Sequence, residues 1–173
     1  MGKTKTGGGR QPAVLLLLAV LLAGCGSAPA PADLGRRLPA AVDSYRRLEL
    51  ITGTAALEKI NSLHGKQIAV EAGAIGIYRA PGQGGPPAMI WISRSRDAGQ
   101  AEEQTRAMVA GMIGNPRSPF HDYRRVQTGG LTVHRFHGLG QVHYIFRRGR
   151  LVYWLSAPPA AGKAFLEAVL PAK

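Results

Sequence analysis

The second half of the chain alternates apolar and polar positions in four short runs, which glycine-containing turns separate. Alternation with a period of two places successive side chains on opposite faces of a strand. The turns at Thr128-Gly129-Gly130, at His137 to Gly140 and at Arg148-Gly149 are short enough to join neighbouring strands in opposite directions. The pattern therefore predicts an antiparallel meander with strands at 123–127, 131–136, 142–147 and 151–156.

The first half mixes helix-like and strand-like periods. Apolar positions three and four residues apart predict helices at 55–63 and 98–112, and a last helix at 160–170. Asp97 stands where a cap for the second helix is expected. The core-facing positions of that helix are Ala101, Thr105, Met108, Val109 and Met112. Shorter apolar runs predict strands at 46–51, 67–70, 75–79 and 89–93.

These elements favour an α+β fold, with a mostly antiparallel sheet and helices packed on one face. We expect one such domain over residues 35–173, because a chain of this length suits a single core. The chain has one cysteine, so no internal disulfide is expected and packing must stabilise the domain.

The N-terminus has a different pattern. Lys3, Lys5 and Arg10 precede an apolar run from Ala13 to Ala23, with no acidic residue before Cys25. Eleven residues make about 16 Å of helix, which is too short for a bilayer core of about 30 Å. A basic start followed by a short apolar run is typical of a secretory signal peptide, predicted here at residues 1–24.

Leu22-Ala23-Gly24-Cys25 resembles the lipobox of bacterial lipoproteins. The resemblance implies cleavage before Cys25, lipid on that cysteine and a place in the cell envelope. Residues 25–34 would then form the lipidated N-terminus and a tether. Gly26 stands where aspartate commonly retains lipoproteins at the inner membrane, so the outer membrane facing the periplasm is expected in a Gram-negative source. Leu38-Pro39, Tyr45-Arg46 and Gly53 to Leu57 are also similar to uncharacterised envelope proteins, a resemblance that implies no activity.

The chain is strongly basic. Lys and Arg number 22 and Asp and Glu 10, so the formal net charge is +12. Removing residues 1–24 takes away three basic residues and leaves +9. Such a charge attracts phosphates, anionic lipids and acidic glycans, or it is only solvated. We expect an anionic envelope glycan or lipid, or an envelope protein, as partner, and no nucleic acid.

Two kinds of candidate binding residue lie in the meander. Guanidinium forks suit phosphate and carboxylate groups, although neighbours on a strand point to opposite faces. His143 and Trp154 would lie in a shallow groove, because both strands of their hairpin are apolar on both faces. The candidate residues for anion or partner binding are Arg124, Arg125, Arg147, Arg148, Arg150, His143 and Trp154.

The histidines leave two registers open. A three-residue loop at 138–140 puts His137 and His143 on one face, whereas a two-residue loop at Leu139-Gly140 puts His134 and His143 together. A metal would need a third ligand from elsewhere, such as His121 or Asp122, so neither a metal nor another cofactor is predicted.

The sequence contains no nucleophile elbow, P-loop or H-E-x-x-H motif. Enzymatic activity is therefore not expected, although a site assembled in three dimensions stays open. The first hypothesis is a lipid-anchored, non-catalytic binding or assembly accessory of the envelope. The alternative is a small-ligand carrier or an enzyme that uses the Trp154/His143 groove.

Overall fold

The structure is a computed structural model that describes residues 1–2, 32–64 and 69–170. The predicted cleavage site, the predicted lipidation site Cys25 and residues 26–31 of the predicted tether lie outside the described residues. In the ranges that the structure describes, no helix is both long and apolar enough to cross a bilayer.

Eight strands form a single antiparallel sheet in the order β1-β2-β3-β4-β8-β7-β6-β5. The strands are β1 (Ala41–Val42), β2 (Tyr45–Thr52), β3 (Val70–Arg79), β4 (Ala88–Ser95), β5 (His121–Thr128), β6 (Leu131–Gly138), β7 (Gln141–Arg148) and β8 (Leu151–Ala157). The helices are α1 (Ala32–Gly35), α2 (Gly53–His64), α3 (Ala98–Gly114) and α4 (Gly162–Glu167).

The meander β5–β8 is built on two-residue turns. Gly138 pairs with Gln141, so the β6–β7 turn is Leu139-Gly140, and both turn residues have positive φ. A turn with two positive φ angles matches the right-handed twist of the flanking strands. The next turn is Gly149-Arg150, since Arg148 pairs with Leu151. The predicted turn at Arg148-Gly149, which would pair Arg147 with Arg150, is therefore wrong.

One face of the sheet, here called the back face, packs on α1 and α4. Its core contains Leu34 of α1 and Phe165 of α4, both buried against Tyr78, Phe146 and other side chains of β3, β4, β7 and β8. The Phe165 ring meets the rings of Tyr45 and Tyr78 edge-on, at centroid distances of 5.2 and 5.3 Å. This is the largest of the three hydrophobic clusters in the described residues.

The opposite face, here called the front face, carries α2 and α3. Ala56 of α2 packs on Ile51 and Ile75, whereas Val109 of α3 packs on Phe136 and Ile145. These are separate clusters, because α2 and α3 cover different strands and leave part of the sheet between them.

The predicted α+β fold with helices on one face is wrong. The described chain is mostly one eight-stranded antiparallel sheet, and its short helices lie on both faces. The physical reason is that β4, β7 and β8 carry apolar side chains in both directions, and both faces of such strands need cover.

Several local predictions agree more closely with the structure. Asp97 caps α3 by accepting a hydrogen bond from the Gln100 amide at 2.8 Å, and the predicted core positions Ala101 and Thr105 are buried. The predicted strands at 67–70 and 75–79 differ from the structure, in which β3 is continuous from Val70. Residues 67 and 68 lie outside the described part.

Two glycines within β3 explain why the sequence pattern predicted two short strands where the structure has one. A Cβ on Gly73 would lie 2.5 Å from Ile60 Cδ1, and one on Gly76 would lie 2.7 Å from the Tyr78 hydroxyl. Glycine in a strand interior often marks such a close approach rather than the end of the strand. Both glycines lie where another side chain packs directly on the strand backbone.

Candidate functional site: a groove on the front face

A groove of about 540 Å³ runs between α3 and the front face of the sheet. Its floor contains Trp91 of β4 and Trp154 of β8, which are direct partners across the two strands. One wall is α3, and the other is the loop that precedes β5. The lining residues are Met89, Trp91, Ala107, Met108, Gly111, Met112, Asn115, Ser118, Pro119, Phe120, Leu139, Gln141, His143, Trp154 and Ser156.

No charged side chain is among these lining residues. Sulfur and aromatic groups dominate, and methionine side chains adapt easily to irregular shapes. Hydrogen-bonding side chains are few in the lining, and one of them, Gln141, donates to the Pro87 carbonyl at 3.0 Å. The groove is therefore mostly apolar, with a small number of hydrogen-bonding groups.

His143 is almost fully buried in the floor, with 2% of its surface exposed. The Trp154 indole N–H donates to its Nδ1 at 3.3 Å, and its Nε2 lies 3.0 Å from the Gly138 carbonyl oxygen. An indole nitrogen can only donate and a carbonyl can only accept. His143 must therefore be the neutral tautomer with its proton on Nε2.

The electrostatics agree with that assignment. Burial lowers the pKa of His143, the charge of His137 lowers it further, and the Gly138 carbonyl opposes the shift. Both ring nitrogens already have partners inside the protein. His143 is thus a structural part of the floor and has no nitrogen left for proton transfer or for a metal.

Phe120 forms the wall opposite α3. Its ring meets the His143 ring edge-on at 4.9 Å between centroids, and it lies 6.1 Å from the Trp154 ring. Glycine at 138 permits this approach, because a Cβ there would lie 2.5 Å from the Pro119 carbonyl oxygen. The position of Phe120 in the groove wall therefore requires that residue 138 has no side chain.

Leu139 stands at the rim, at the tip of the β6–β7 turn. It is 64% exposed and has a φ of 53°, in the left-handed region that leucine avoids. An apolar side chain that is both exposed and backbone-strained needs a reason, and such outliers cluster at functional sites. Its place beside the groove suggests contact with what the groove holds.

The groove continues across the sheet toward α2. A further depression of about 290 Å³ shares Met89 and Trp91 with it and reaches Ile51 and Lys59. Together the two cross five neighbouring strands from β7 to β2. Strands are spaced by about 4.8 Å, so the combined path is about 19 Å long.

The structure separates the candidate arginines. Arg147 lies on the front face and pairs with Glu102 of α3 at 3.0 Å. Arg124 and Arg125 are exposed on the edge strand β5, with no part in the groove. Arg148 and Arg150 line a separate cavity on the back face. Only His143 and Trp154 of the candidate residues belong to the groove.

The two-residue β6–β7 turn settles the histidine register, with His134 and His143 on the front face. His134 is engaged by the Tyr123 hydroxyl at 3.0 Å, and burial and then Arg125 lower its pKa. His121 pairs with Asp122 at 2.9 Å, away from them. Within the described ranges, no three His, Cys, Asp or Glu side chains are placed to hold a metal ion.

Sequence reasoning missed most of the groove. Met108 and Met112 were expected in the core, and Trp91, Phe120 and Leu139 were not singled out. The sequence did contain one signal of this site, because Leu139 is an apolar residue in a turn, where a polar residue is usual. The approach of α3 and the Phe120 loop depends on contacts distant in sequence, which no local pattern reports.

No family model matches the sequence, and no curated protein matches it. Among solved structures, the chain is similar to a GTP binding regulator from Thermotoga maritima, with a TM-score of 0.46 and 11% identity. The likeness covers 74% of this chain and 76% of that chain. A likeness at this level carries no argument about function.

Proposed function

We propose that this chain is a non-catalytic binding protein of the bacterial cell envelope, anchored by lipid on Cys25, that holds the linear apolar part of a lipid in its front-face groove. The observation that carries the proposal is the groove itself, about 540 Å³ in volume and floored by Trp91 and Trp154. Ligand sites of small molecules are mostly apolar clefts of about 300–1,000 Å³.

The chemistry of the lining selects the ligand class. A charged group in the groove would lose its hydration without gaining an opposite charge, at a large cost. An acyl chain loses no hydrogen bond on entry, and each buried CH₂ gains about 0.8 kcal/mol. The lining therefore favours an uncharged, mostly hydrocarbon ligand.

The shape favours a linear ligand over a compact one. The groove and the depression beyond Trp91 follow one path across five strands, about 19 Å at about 4.8 Å per strand. The hydrogen-bonding groups of Gln141 and Ser156 in the lining suit an ester or hydroxyl head group. A lipid with one acyl chain in the groove meets both requirements.

A binding role is favoured over a catalytic one. His143 is the titratable side chain within the groove, and both its ring nitrogens are engaged by Trp154 and Gly138. General base catalysis needs a nitrogen that reaches the substrate. Contact with an envelope protein partner, the first hypothesis from the sequence, stays a prediction, whereas the groove supports a ligand carrier.

Tryptophan fluorescence tests the proposal directly, because the chain contains two tryptophans and both lie on the groove floor. The full chain is held in an uncharged amphipathic polymer, so that no detergent chain competes. It is then titrated with a monoacylglycerol brominated on its acyl chain, and bromine in the groove quenches the fluorescence saturably.

Gly111 offers a matched variant pair. It lines the groove, and nothing lies within 4 Å of a Cβ at this position, so the backbone there has room for a side chain and Gly111→Leu adds one to the groove wall. Ala110 is the exposed neighbour outside the groove, so Ala110→Leu is the control. We expect Gly111→Leu to abolish saturable quenching and Ala110→Leu to preserve it. Equal quenching in both variants, or none in the parent chain, would refute the proposal.

The anchor has its own test. Cys25→Ser removes the only sulfur that can carry the diacylglyceryl group. We expect this variant to lose metabolic labelling by a fatty acid analogue and to stay unprocessed or leave the membrane fraction. Labelling that persists in the serine variant would contradict lipidation at Cys25, whatever the groove binds.

A further inference from the structure

A second cavity, of about 270 Å³, lies on the back face where the turn after α1 meets the β7–β8 turn. Its lining consists of Leu34, Arg37, Arg94, Arg148, Arg150 and Leu151. We call it the arginine cavity. The four arginines come from three separate segments, since Arg148 and Arg150 share the β7–β8 hairpin, so the fold and not only a local run of charge brings them together.

The positive charge of the arginine cavity is only partly balanced. Glu71 pairs with Arg150 and lies 3.7 Å from Arg94 Nε. In the described part of the chain, it is the one carboxylate at ion-pair distance from any of the four. Three positive charges therefore remain in excess around a single concave site.

The guanidinium group of Arg150 is held in place by the protein. Its Nε donates to the Ser95 carbonyl at 3.0 Å. A guanidinium that is already positioned loses less entropy when it binds an oxyanion. The site is preorganised for an anion.

Arg94 adds an unsatisfied donor. Its Nε is buried and has no hydrogen-bond partner, since Glu71 at 3.7 Å is beyond hydrogen-bond distance. The side chain as a whole is only 17% exposed. A buried donor without an acceptor is destabilising, and an anionic ligand that supplies an oxygen would remove that cost.

We propose that Arg37, Arg94, Arg148 and Arg150 bind a phosphate group, and that this phosphate belongs to an anionic lipid head group. Guanidinium forks bind phosphate oxygens in a bidentate manner, which fits a site built of arginines rather than lysines. Leu34 and Leu151 line the same site, so the wall beside the arginines is apolar.

The position of the site in the chain favours a lipid as the source of the phosphate, an argument that rests on the proposed anchor. Leu34 is nine residues after Cys25, and nine extended residues span at most about 32 Å. Anchorage at Cys25 would thus hold the arginine cavity close to a surface of lipid head groups. Phosphate recognition itself does not depend on the anchor.

Calorimetry on the full chain in the uncharged polymer tests both parts of the proposal. The probes are dihexanoyl phosphatidylglycerol, inorganic phosphate and dihexanoylglycerol, which lacks the phosphate. We expect dihexanoylglycerol to bind in the groove alone, phosphatidylglycerol to bind saturably at one additional site, and inorganic phosphate to bind more weakly at that site. Inorganic phosphate binding as tightly as the lipid would overturn the head-group assignment, and no phosphate-dependent binding would overturn the site.

Two double variants separate a site from general charge. Arg37→Ser with Arg148→Ser removes two exposed arginines of the cavity, whereas Arg124→Ser with Arg125→Ser removes two exposed arginines of β5. Both lower the net charge equally. We expect the first to weaken phosphatidylglycerol binding at least about tenfold and the second to change it less than about twofold. Equal losses would overturn the site.

A single variant tests the role of the guanidinium fork. Arg148→Lys keeps the charge and loses the bidentate geometry. We expect binding between that of the parent chain and that of the Arg37/Arg148 double variant. Quenching of the groove tryptophans is measured on the same proteins and should be unchanged, so that failure of this proposal is distinguishable from failure of the proposed function.

Discussion

The indole N–H of Trp154 donates a hydrogen bond to Nδ1 of His143 across two neighbouring strands, at 3.3 Å. This contact fixes the tautomer, because the other nitrogen then carries the proton and faces the Gly138 carbonyl at 3.0 Å. The imidazole accordingly stays neutral in the folded protein, and its protonation would break the contact with Trp154.

The neutral His143 makes the fold sensitive to acid. Burial lowers its pKa below the ordinary 6.5, so the unfolded chain binds more protons than the folded one as the pH falls below about 6.5. The contribution of neutral His143 to the free energy of unfolding is therefore complete above about pH 6.5, and it is lost as the pH falls toward the lowered pKa. His134 acts in the same direction. We expect the free energy of unfolding to be smaller at about pH 5.5 than at about pH 7.5.

Denaturant unfolding of His143→Gln at both pH values checks this expectation. Glutamine keeps one donor and one acceptor but does not titrate, so the variant should lose less stability on acidification than the parent chain. Adding His134→Gln should flatten the pH dependence further. An identical pH dependence in all three proteins would contradict the assignment of neutral histidines.

We expect Leu139 to destabilise the fold and to contribute to ligand binding. Its φ of 53° and the φ of 74° at Gly140 form the turn that favours Asn-Gly, and its exposed side chain contributes little to the core. We expect Leu139→Asn to stabilise the fold by about 1 kcal/mol, because asparagine tolerates the left-handed conformation. The same change should weaken quenching by the brominated ligand.

Thermal unfolding and the fluorescence titration measure the two effects separately. Leu48→Asn is the control, since Leu48 is equally exposed at 65% but has no positive φ and does not line the groove. It should give no gain in stability and no loss of binding. A destabilised Leu139→Asn with full binding would show that the leucine serves the fold.

The meander was predictable because an error of two residues in the register does not change which face of the sheet each side chain lies on. The predicted pairing of Arg147 with Arg150 differs by two residues from the observed pairing of Arg148 with Leu151. A shift of two keeps each side chain on its face, whereas a shift of one would exchange the faces. His143 and Trp154 were therefore correctly placed in one groove from an incorrect turn.

The helices and the binding residues were not predictable in the same way. The apolar character of β7 and β8 in both directions requires cover on both faces, yet nothing local says which helix covers which face. Likewise Arg37 and Arg94 are distant from Arg148 in sequence and meet only because β4 and β8 are neighbours and α1 lies over the back face. Patterns within one strand carry no such information.

Gly138 should be intolerant of any side chain. An alanine Cβ would lie 2.5 Å from the Pro119 carbonyl oxygen and 3.0 Å from Phe120 Cδ1, and the backbone atom cannot rotate away. We expect Gly138→Ala to lower the free energy of unfolding by about 1–3 kcal/mol as the Phe120 loop is displaced. Because Phe120 forms a wall of the groove, binding of the brominated ligand should weaken as well.

A glycine in an open position provides the comparison for Gly138. Nothing lies within 4 Å of a Cβ built on Gly84, so Gly84→Ala should leave both the free energy of unfolding and the quenching near those of the parent chain. If Gly138→Ala behaved like Gly84→Ala, the loop would not be in close contact with the end of β6.

Tyr78 should make the fold sensitive to alkali. Its hydroxyl donates to the Pro39 carbonyl at 2.9 Å, and burial raises its pKa to about 12, although Arg47 opposes the shift. The unfolded chain loses this proton above the ordinary pKa of 10.0, whereas the folded chain keeps it up to about pH 12. The neutral phenol therefore contributes fully to the free energy of unfolding below pH 10, and this contribution is lost as the pH rises toward 12. We expect the Tyr78→Phe variant to lose less stability than the parent chain over this range.

At neutral pH, Tyr78→Phe should cost about 1 kcal/mol, because the Pro39 carbonyl loses its partner. Above pH 10, the difference in unfolding free energy between variant and parent should narrow, since the variant lacks the Tyr78 phenol, whereas the buried phenols of Tyr144 and Tyr153 are present in both proteins. Ile90→Val, a change in the same buried core without a titrating group, should keep a constant difference from the parent across the same range. A constant difference for Tyr78→Phe would mean that the phenol ionises equally well in the folded and unfolded chain, which its burial and its hydrogen bond to Pro39 argue against.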